Sequence, residues 1–250
     1  MKSEDDRFRA FPAFDDPALA RIASKRHKLG PAAEALFPEA HLSHRFVRAL
    51  AARKAVSLKE ILESYEFHRR VRRRVRRRVV ADLCCGHGLT GVLFALHERQ
   101  VEQVVLVDRR RPASTRLILD AAAEVAPWVT AKVRFRETPI EEAELPAGAG
   151  VIGVHACGLS TDQVLAKGLQ SGGPVAVMPC CHSSARRHAV SGLREALGTR
   201  LAIDVDRTYR LETAGLRVEW TSIPAAITPM NRVLIATPRG GDASAPEPPG

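Results

Sequence analysis

Aromatic residues are scarce: eight Phe, two Trp and two Tyr make up 5% of the 250 residues. That scarcity disfavours a broad single-strand nucleic-acid platform, which needs successive rings for base stacking. Cysteine is scarce too. The five are Cys84, Cys85, Cys157, Cys180 and Cys181. Two adjacent pairs and an odd total do not make a secreted disulfide framework, so reduced thiols are expected. No apolar run approaches the length that crosses a bilayer, which predicts no membrane partner. Met1 to Arg9 has no apolar core behind it, so no secretory leader is expected and the predicted location is the cytoplasm.

What is present is an ordinary soluble composition, 45% apolar and 26% charged, in a chain long enough to bury a substantial core. The charge is uneven. Lys and Arg number 38 against 28 Asp and Glu, and Arg69, Arg70, Arg72, Arg73, Arg74, Arg76, Arg77 and Arg78 account for most of the +10 excess. Such a local positive field attracts a polyanion.

The chain divides into a helical basic extension over 1–78, an α/β domain over 79–237 and a disordered tail over 238–250. Asp16–Pro17 can start a first helix running through Ala23; Ser43 can cap a second. Ser57 with Glu60 makes a capping box for a third, whose apolar stripe continues through Val71 and Val75 to about Arg76. From Val79 the rhythm changes to short apolar runs at 79–83, 103–107, 132–135, 151–154, 175–178, 216–223 and 232–236. Helical patterns separate them at 90–98, 113–126, 161–170 and 185–197. That alternation predicts a mostly parallel seven-stranded sheet.

The densest constellation is VVADLCCGHGLTG followed by VVLVDRR. Gly86 and Gly88 lie just past a strand, where a missing Cβ permits a sharp turn and close approach of a ligand. The next helix presents its free amides to the same crevice. Asp108 ends the second strand, where a carboxylate can accept from ribose hydroxyls. Gly86, Gly88 and Gly91 satisfy the dinucleotide register. Asp82, however, would repel a diphosphate and suits a cationic amino acid portion better. His155 with Cys157, and Cys180, Cys181 and His182, stand at the ends of later strands, so these residues are expected around one cleft with Cys84, Cys85 and His87.

The segments DLCCGHGLTG, LVDRR, HACGLSTD, MPCCHS and ITPMNRVLIA resemble a branch of the class I S-adenosylmethionine-dependent methyltransferases. That branch includes the tRNA 2′-O-methyltransferase of the Trm13 kind, proteins related to METTL25, and the methyltransferase part of the glutathione S-transferase C-terminal domain-containing protein. The resemblance implies a Rossmann-like fold with S-adenosyl-L-methionine as cofactor. It implies that Asp82, Cys84, Gly86 and Gly88 surround the methionine part, Asp108 the ribose, and Glu137 or Ile140 the adenine. His155, Cys157 and Gly158 match its fourth-strand motif; Cys180, Cys181 and His182 its fifth-strand motif; Thr228, Pro229 and Asn231 a terminal motif expected to return toward the cleft. Cys84 replaces the first glycine of the common loop.

An imidazole titrates near neutral pH, so His182 is expected as proton acceptor or substrate orienter, with His155 in support. Both can equally tie loops together. Cys180 or Cys181 is a candidate nucleophile toward a pyrimidine ring. No compact pair of C-x₂-C motifs is present, so no metal site is expected. The arginine run Arg69–Arg78, with a second patch at Lys25, Arg26, His27 and Lys28, points to RNA, tRNA or rRNA, as acceptor, with ribose 2′-oxygen preferred over a base atom. A small-molecule methyltransferase and a noncatalytic RNA-binding protein of the same fold are the alternatives.

Overall fold

The computed structural model describes residues 6–180, 182 and 189–240. Helices α1 (Pro17–Ala20), α2 (Leu42–Ala52) and α3 (Leu58–Val75) precede the sheet. Asp16 caps α1, accepting from the amides of Ala18 and Leu19, but the helix closes after one turn rather than reaching Ala23. Helix α2 starts one residue before Ser43, so its cap is the His41 side chain. Helix α3 has the expected capping box: Ser57 accepts from the Glu60 amide and Glu60 accepts from the Ser57 amide.

The sheet comprises β1 (Val79–Leu83), β2 (Gln103–Asp108), β3 (Val133–Glu137), β4 (Gly150–Val154), β5 (Val175–Met178), β6 (Leu216–Ser222) and β7 (Arg232–Pro238). Its order is β3-β2-β1-β4-β5-β7-β6, with β7 antiparallel to both neighbours and the other pairs parallel. This is the seven-stranded, mostly parallel Rossmann-like architecture expected. Between the strands lie α4 (Leu89–His97), α5 (Ala113–Val125), α6 (Val129–Lys132), α7 (Leu159–Ser171), α8 (Ser191–Leu197) and α9 (Thr199–Thr213). The expected helix at 185–197 begins at Ser191; residues 185–188 lie outside the described residues, as does the expected tail from 241. Helix α9 was not expected, because its buried stripe mixes Asp204 and Arg207 with Ala202, Ile203 and Leu211.

Period-two alternation divides the strand side chains between two apolar layers. Val80, Leu106, Ile152, Ala176 and Ile235 share one core with α2, α3, α4 and α5. Ala81, Val105, Val151, Val175 and Leu234 share the other with α7 and α9. Helix α3 crosses the first face with Ile61, Leu62, Phe67, Val71 and Val75 fully buried. It passes so near the start of β4 that a Cβ on Gly150 would lie 2.0 Å from the Val75 carbonyl oxygen.

The arginine run is largely spent on internal contacts. Arg70 is buried, paired with Glu66 and bonded to the carbonyls of Ser222 and Arg7 (3.0 Å for the latter). Arg72 and Arg76 converge on buried Glu98 at 2.8 and 3.1 Å. Arg74 meets Glu219 at 3.2 Å, and Arg78 grips Glu102 through two bonds of 3.0 and 2.7 Å. Arg69 and Arg73 are exposed without a carboxylate partner among the described residues.

Burial alone would raise the Glu98 carboxyl, but His68 at 3.4 Å and hydrogen bonds from Arg72 and Arg76 hold it at about 2. A carboxyl lowered by folding stabilises above its unfolded value and ceases to do so as pH falls through the folded one. Glu98→Gln should therefore lose about 2 kcal/mol at pH 7, less than a fully enclosed pair because both guanidinium groups reach solvent. The deficit should shrink between pH 4.5 and 2, as read from urea midpoints across that range.

Candidate active site

Strand β1 ends in a turn with positive φ at Cys84 (55°), Gly86 (54°) and Gly88 (80°). Gly88 caps α4 in the left-handed conformation, and a Cβ there would meet Leu106 at 2.6 Å. Cys84 carries the same geometry without glycine's freedom, strain that is typically held at ligand sites. Asp108, at the end of neighbouring β2, accepts from the Gly86 amide at 2.8 Å through Oδ2. Its Oδ1 has no partner among the described residues, so the carboxylate shapes the loop and still offers an acceptor to the crevice. Asp82 accepts from the Gly91 amide at 2.8 Å, and a Cβ on Gly91 would stand 2.4 Å from Leu106 and 3.0 Å from the Asp82 Cβ. The third glycine therefore serves the packing of α4 on the sheet. Burial raises the Asp82 carboxyl to about 7; the Gly91 amide opposes this and Asp108 adds repulsion.

Two cavities meet at Cys84. One, about 230 Å³, is lined by Cys84, Val107, Asp108, Arg109, Ile140 and Ser160. The other, about 220 Å³, is lined on one side by Asp82, Cys85, Gly86 and His87, and on the other by Glu60, Glu63 and His155. Together they form a two-lobed crevice at the carboxyl ends of β1, β2 and β4. The lobe beside Asp108 has an apolar wall in buried Ile140, as an adenosine requires; the lobe beside Asp82 has carboxylates that suit a cationic amino acid. The residues present fit S-adenosylmethionine: an open glycine turn, one acceptor at each end, and no cation placed for a diphosphate in the Asp82 lobe.

Glu60 and Glu63 were not anticipated as site residues. Glu63, 2% exposed, lies 3.0 Å from His155 Nε2 without the alignment of a formal hydrogen bond, and also pairs with Lys59. Glu60 lies 3.3 Å from His87 Nε2; the His87 bond, together with Ser57, outweighs burial and lowers its carboxyl to about 2. The sequence signal was an acidic residue, Glu63, within the apolar stripe of α3. His155, like Cys84, has positive φ (59°), and its amide donates to Met178 O at 3.1 Å, so the turn after β4 is tied to β5.

Other expected site residues fall outside the crevice. Glu137 is exposed, accepting from the Arg111 amide at 3.3 Å, whereas Ile140 lines the lobe. His182 lines neither lobe; its Nε2 is 3.0 Å from Asp204, which also holds Arg207 at 3.2 Å and Arg232 at 2.5 Å. Its preferred role as proton acceptor thus gives way to that of a buried tie to α9, because the chain past β5 is drawn to that carboxylate. Cys180 also lines neither lobe and meets Cys157 instead. Cys181 lies outside the described residues. Asn231 bonds to Ile223 O at 2.7 Å and Thr228 accepts from the Met230 amide at 3.3 Å, so the terminal motif closes the turn into β7 instead of lining the crevice. Burial pushes the thiols of Cys84 and Cys85 up, which leaves them protonated as packing groups. The one His/Glu group of metal-binding proximity among the described residues, Glu39, His41 and His44, is at the start of α2, where both imidazoles already accept backbone hydrogens.

The sequence matches the family described as a methyltransferase domain over residues 55–188, more than half of the chain. No curated protein matches it in sequence. It is similar in structure to the S-adenosylmethionine-dependent methyltransferase SibL in its apo form, with 17% identity and TM-score 0.47, over 92% of this chain and 74% of that one. It is also similar to the 16S rRNA methyltransferase KamB, with 16% identity and TM-score 0.41, over 68% of this chain and 91% of that one. A third is the glycopeptide N-methyltransferase MtfA complexed with sinefungin, with 14% identity and TM-score 0.47, over 71% and 87%. The family match and the seven-stranded fold agree: the chain belongs to the methyltransferase-domain family and is a class I, S-adenosylmethionine-dependent methyltransferase.

Proposed function

We propose that the chain methylates RNA, either tRNA or rRNA, with a ribose 2′-hydroxyl as the acceptor. The observation that carries this reading is a set of exposed cations beside the crevice. Lys25, Arg26 and Lys28 have no carboxylate partner among the described residues. Their segment is fastened to the start of α3: the Lys59 amide donates to Lys25 O at 3.1 Å and the Leu29 amide to Val56 O at 2.9 Å. Glu60 and Glu63 lie within the next turns of that helix and line the crevice. A phosphate backbone held there would stand next to the catalytic lobe. The arginine run supports the reading less directly. A rise of 1.5 Å per residue puts Val75 roughly 22 Å from Glu60, at the opposite end of the sheet, so only an extended RNA would reach Arg69 and Arg73 as well.

In this reading Asp82 receives the donor's amino group, Asp108 the ribose hydroxyls, and Ile140 the adenine face. S-adenosylmethionine, when bound, supplies an electrophilic methyl group on a sulfonium. Glu63 stands 3.0 Å from His155 Nε2, and the imidazole beside that carboxylate takes the acceptor's hydroxyl proton. Arg109, at the rim of the adenosine lobe, pairs loosely with Glu141 at 3.7 Å.

The direct test is incubation with labelled methyl donor and total RNA from cells lacking the gene, followed by nucleoside mass analysis. Label in a 2′-O-methylnucleoside is expected; turnover on a small acceptor with none in any RNA rejects the reading. Replacing Lys25, Arg26 and Lys28 together by Ser should weaken RNA binding and reduce the slope of log affinity against log salt by about 2 to 3, with donor binding unchanged. His155→Asn should slow transfer by roughly 10²-fold or more at unaltered donor affinity, measured in single turnover. Because the Asp82 carboxyl ionises near 7, donor affinity should rise as pH is raised through that value and level off above it, whereas Asp82→Asn should bind weakly with a flat profile in calorimetric titration.

A further inference from the structure

Four of the five cysteines are among the described residues, and they fall into two chemical classes. Cys84 and Cys85 are packed under the donor crevice with their thiols pushed up. Cys157 and Cys180 line neither lobe and instead meet each other. The parallel register of β4 and β5 sets Val154 beside Met178. The turns leaving the two strands therefore run side by side and bring the two sulfur atoms to 3.1 Å. Cys157 is exposed to solvent and Cys180 is half-buried, so one thiol can meet a reagent and the other waits behind it. Their turns also position the catalytic lobe. Cys157 follows His155 by two residues, and the Cys180 sulfur approaches the His155 carbonyl oxygen at 3.8 Å.

We propose that Cys157 and Cys180 form a reversible disulfide, a redox-modification site that braces the turn carrying His155. The oxidant class is a low-molecular-weight disulfide such as oxidised glutathione. The Cys157 thiolate attacks one sulfur of that disulfide, expelling one glutathione thiolate and leaving a mixed disulfide. The Cys180 thiolate then attacks the Cys157 sulfur and expels the second. Two electrons pass from the protein thiols to the glutathione disulfide, and the two protons released end on the two glutathione molecules. The bond joins the turns that leave two adjacent strands, and reduction by thiols restores the two thiol groups.

The test uses the full chain, equilibrated over a series of reduced-to-oxidised glutathione ratios, quenched with a maleimide and weighed intact. Two thiols should disappear together with a mass loss of two hydrogens, peptide mapping should join Cys157 to Cys180, and dithiothreitol should reverse both. Amide exchange across residues 155–160 should slow on the order of tenfold in the oxidised protein. Cys157→Ser and Cys180→Ser should each abolish the crosslink and the change in exchange, and mapping of the unaltered protein decides the matter even if a variant folds poorly. A glutathione adduct that never closes, a crosslink through another cysteine, stoichiometric zinc released on labelling, or a crosslink that leaves exchange unaltered would each overturn the proposal. None of these outcomes depends on RNA being the acceptor.

Discussion

Helix α3 buries one continuous stripe, from Leu58 through Ile61, Leu62, Phe67 and Val71 to Val75, against the first face of the sheet. The crevice and the basic rim both take their positions from that contact. Its first two turns carry Glu60 and Glu63 to the carboxyl ends of β1 and β4, and its last turns carry the arginines to the other end. Apolar burial supplies the attraction, while buried charge pairs make the placement specific. Glu66 and Arg70 pair inside the core and also accept or donate to the backbone of Arg7, Arg9, Ala10 and Ser222, so the N-terminal segment and the end of β6 close around the helix. Such a pair would be costly if either member were left alone, which ties the register of α3 to both flanking segments.

Charge is sorted in the same way. Carboxylates from Glu60, Glu63, Asp82 and Asp108 surround the crevice, and cations stand on its rim and beyond. A donor with a sulfonium and an ammonium group is favoured inside, and the proposed polyanionic acceptor would be favoured outside and repelled from the donor lobe. The two attractions are separated in space, because Glu63 and Asp82 are buried and the basic side chains are in water, where their field extends about a Debye length. The raised Asp82 carboxyl belongs to this arrangement: burial beside Asp108 keeps it near neutral until a cation arrives to share the site.

Short apolar runs made the central strands legible almost to the residue, because a strand buried on both faces has few other ways to be written. The glycine turn and Asp108 were legible for another reason: strand, turn and helix are contiguous, and the second strand follows at once. Helix α9 was not legible, since Asp204 and Arg207 occupy its buried stripe and are tolerated only through partners brought from Asp162, His182 and Arg232. His182 was misjudged on the same account. Its place beside a strand end suggested the crevice, and a carboxylate on a helix still to come in the chain drew it elsewhere.

The amino-acid sequence by itself determined the order and type of most elements, the donor turn and the class I methyltransferase assignment, because each depends on neighbours along the chain. Tertiary structure alone decided which histidine meets a carboxylate in the crevice, which arginines remain free, and which two thiols touch. Those outcomes depend on pairs of groups from distant segments, and a charged side chain reads the same in sequence whether its partner is water or a buried counter-ion.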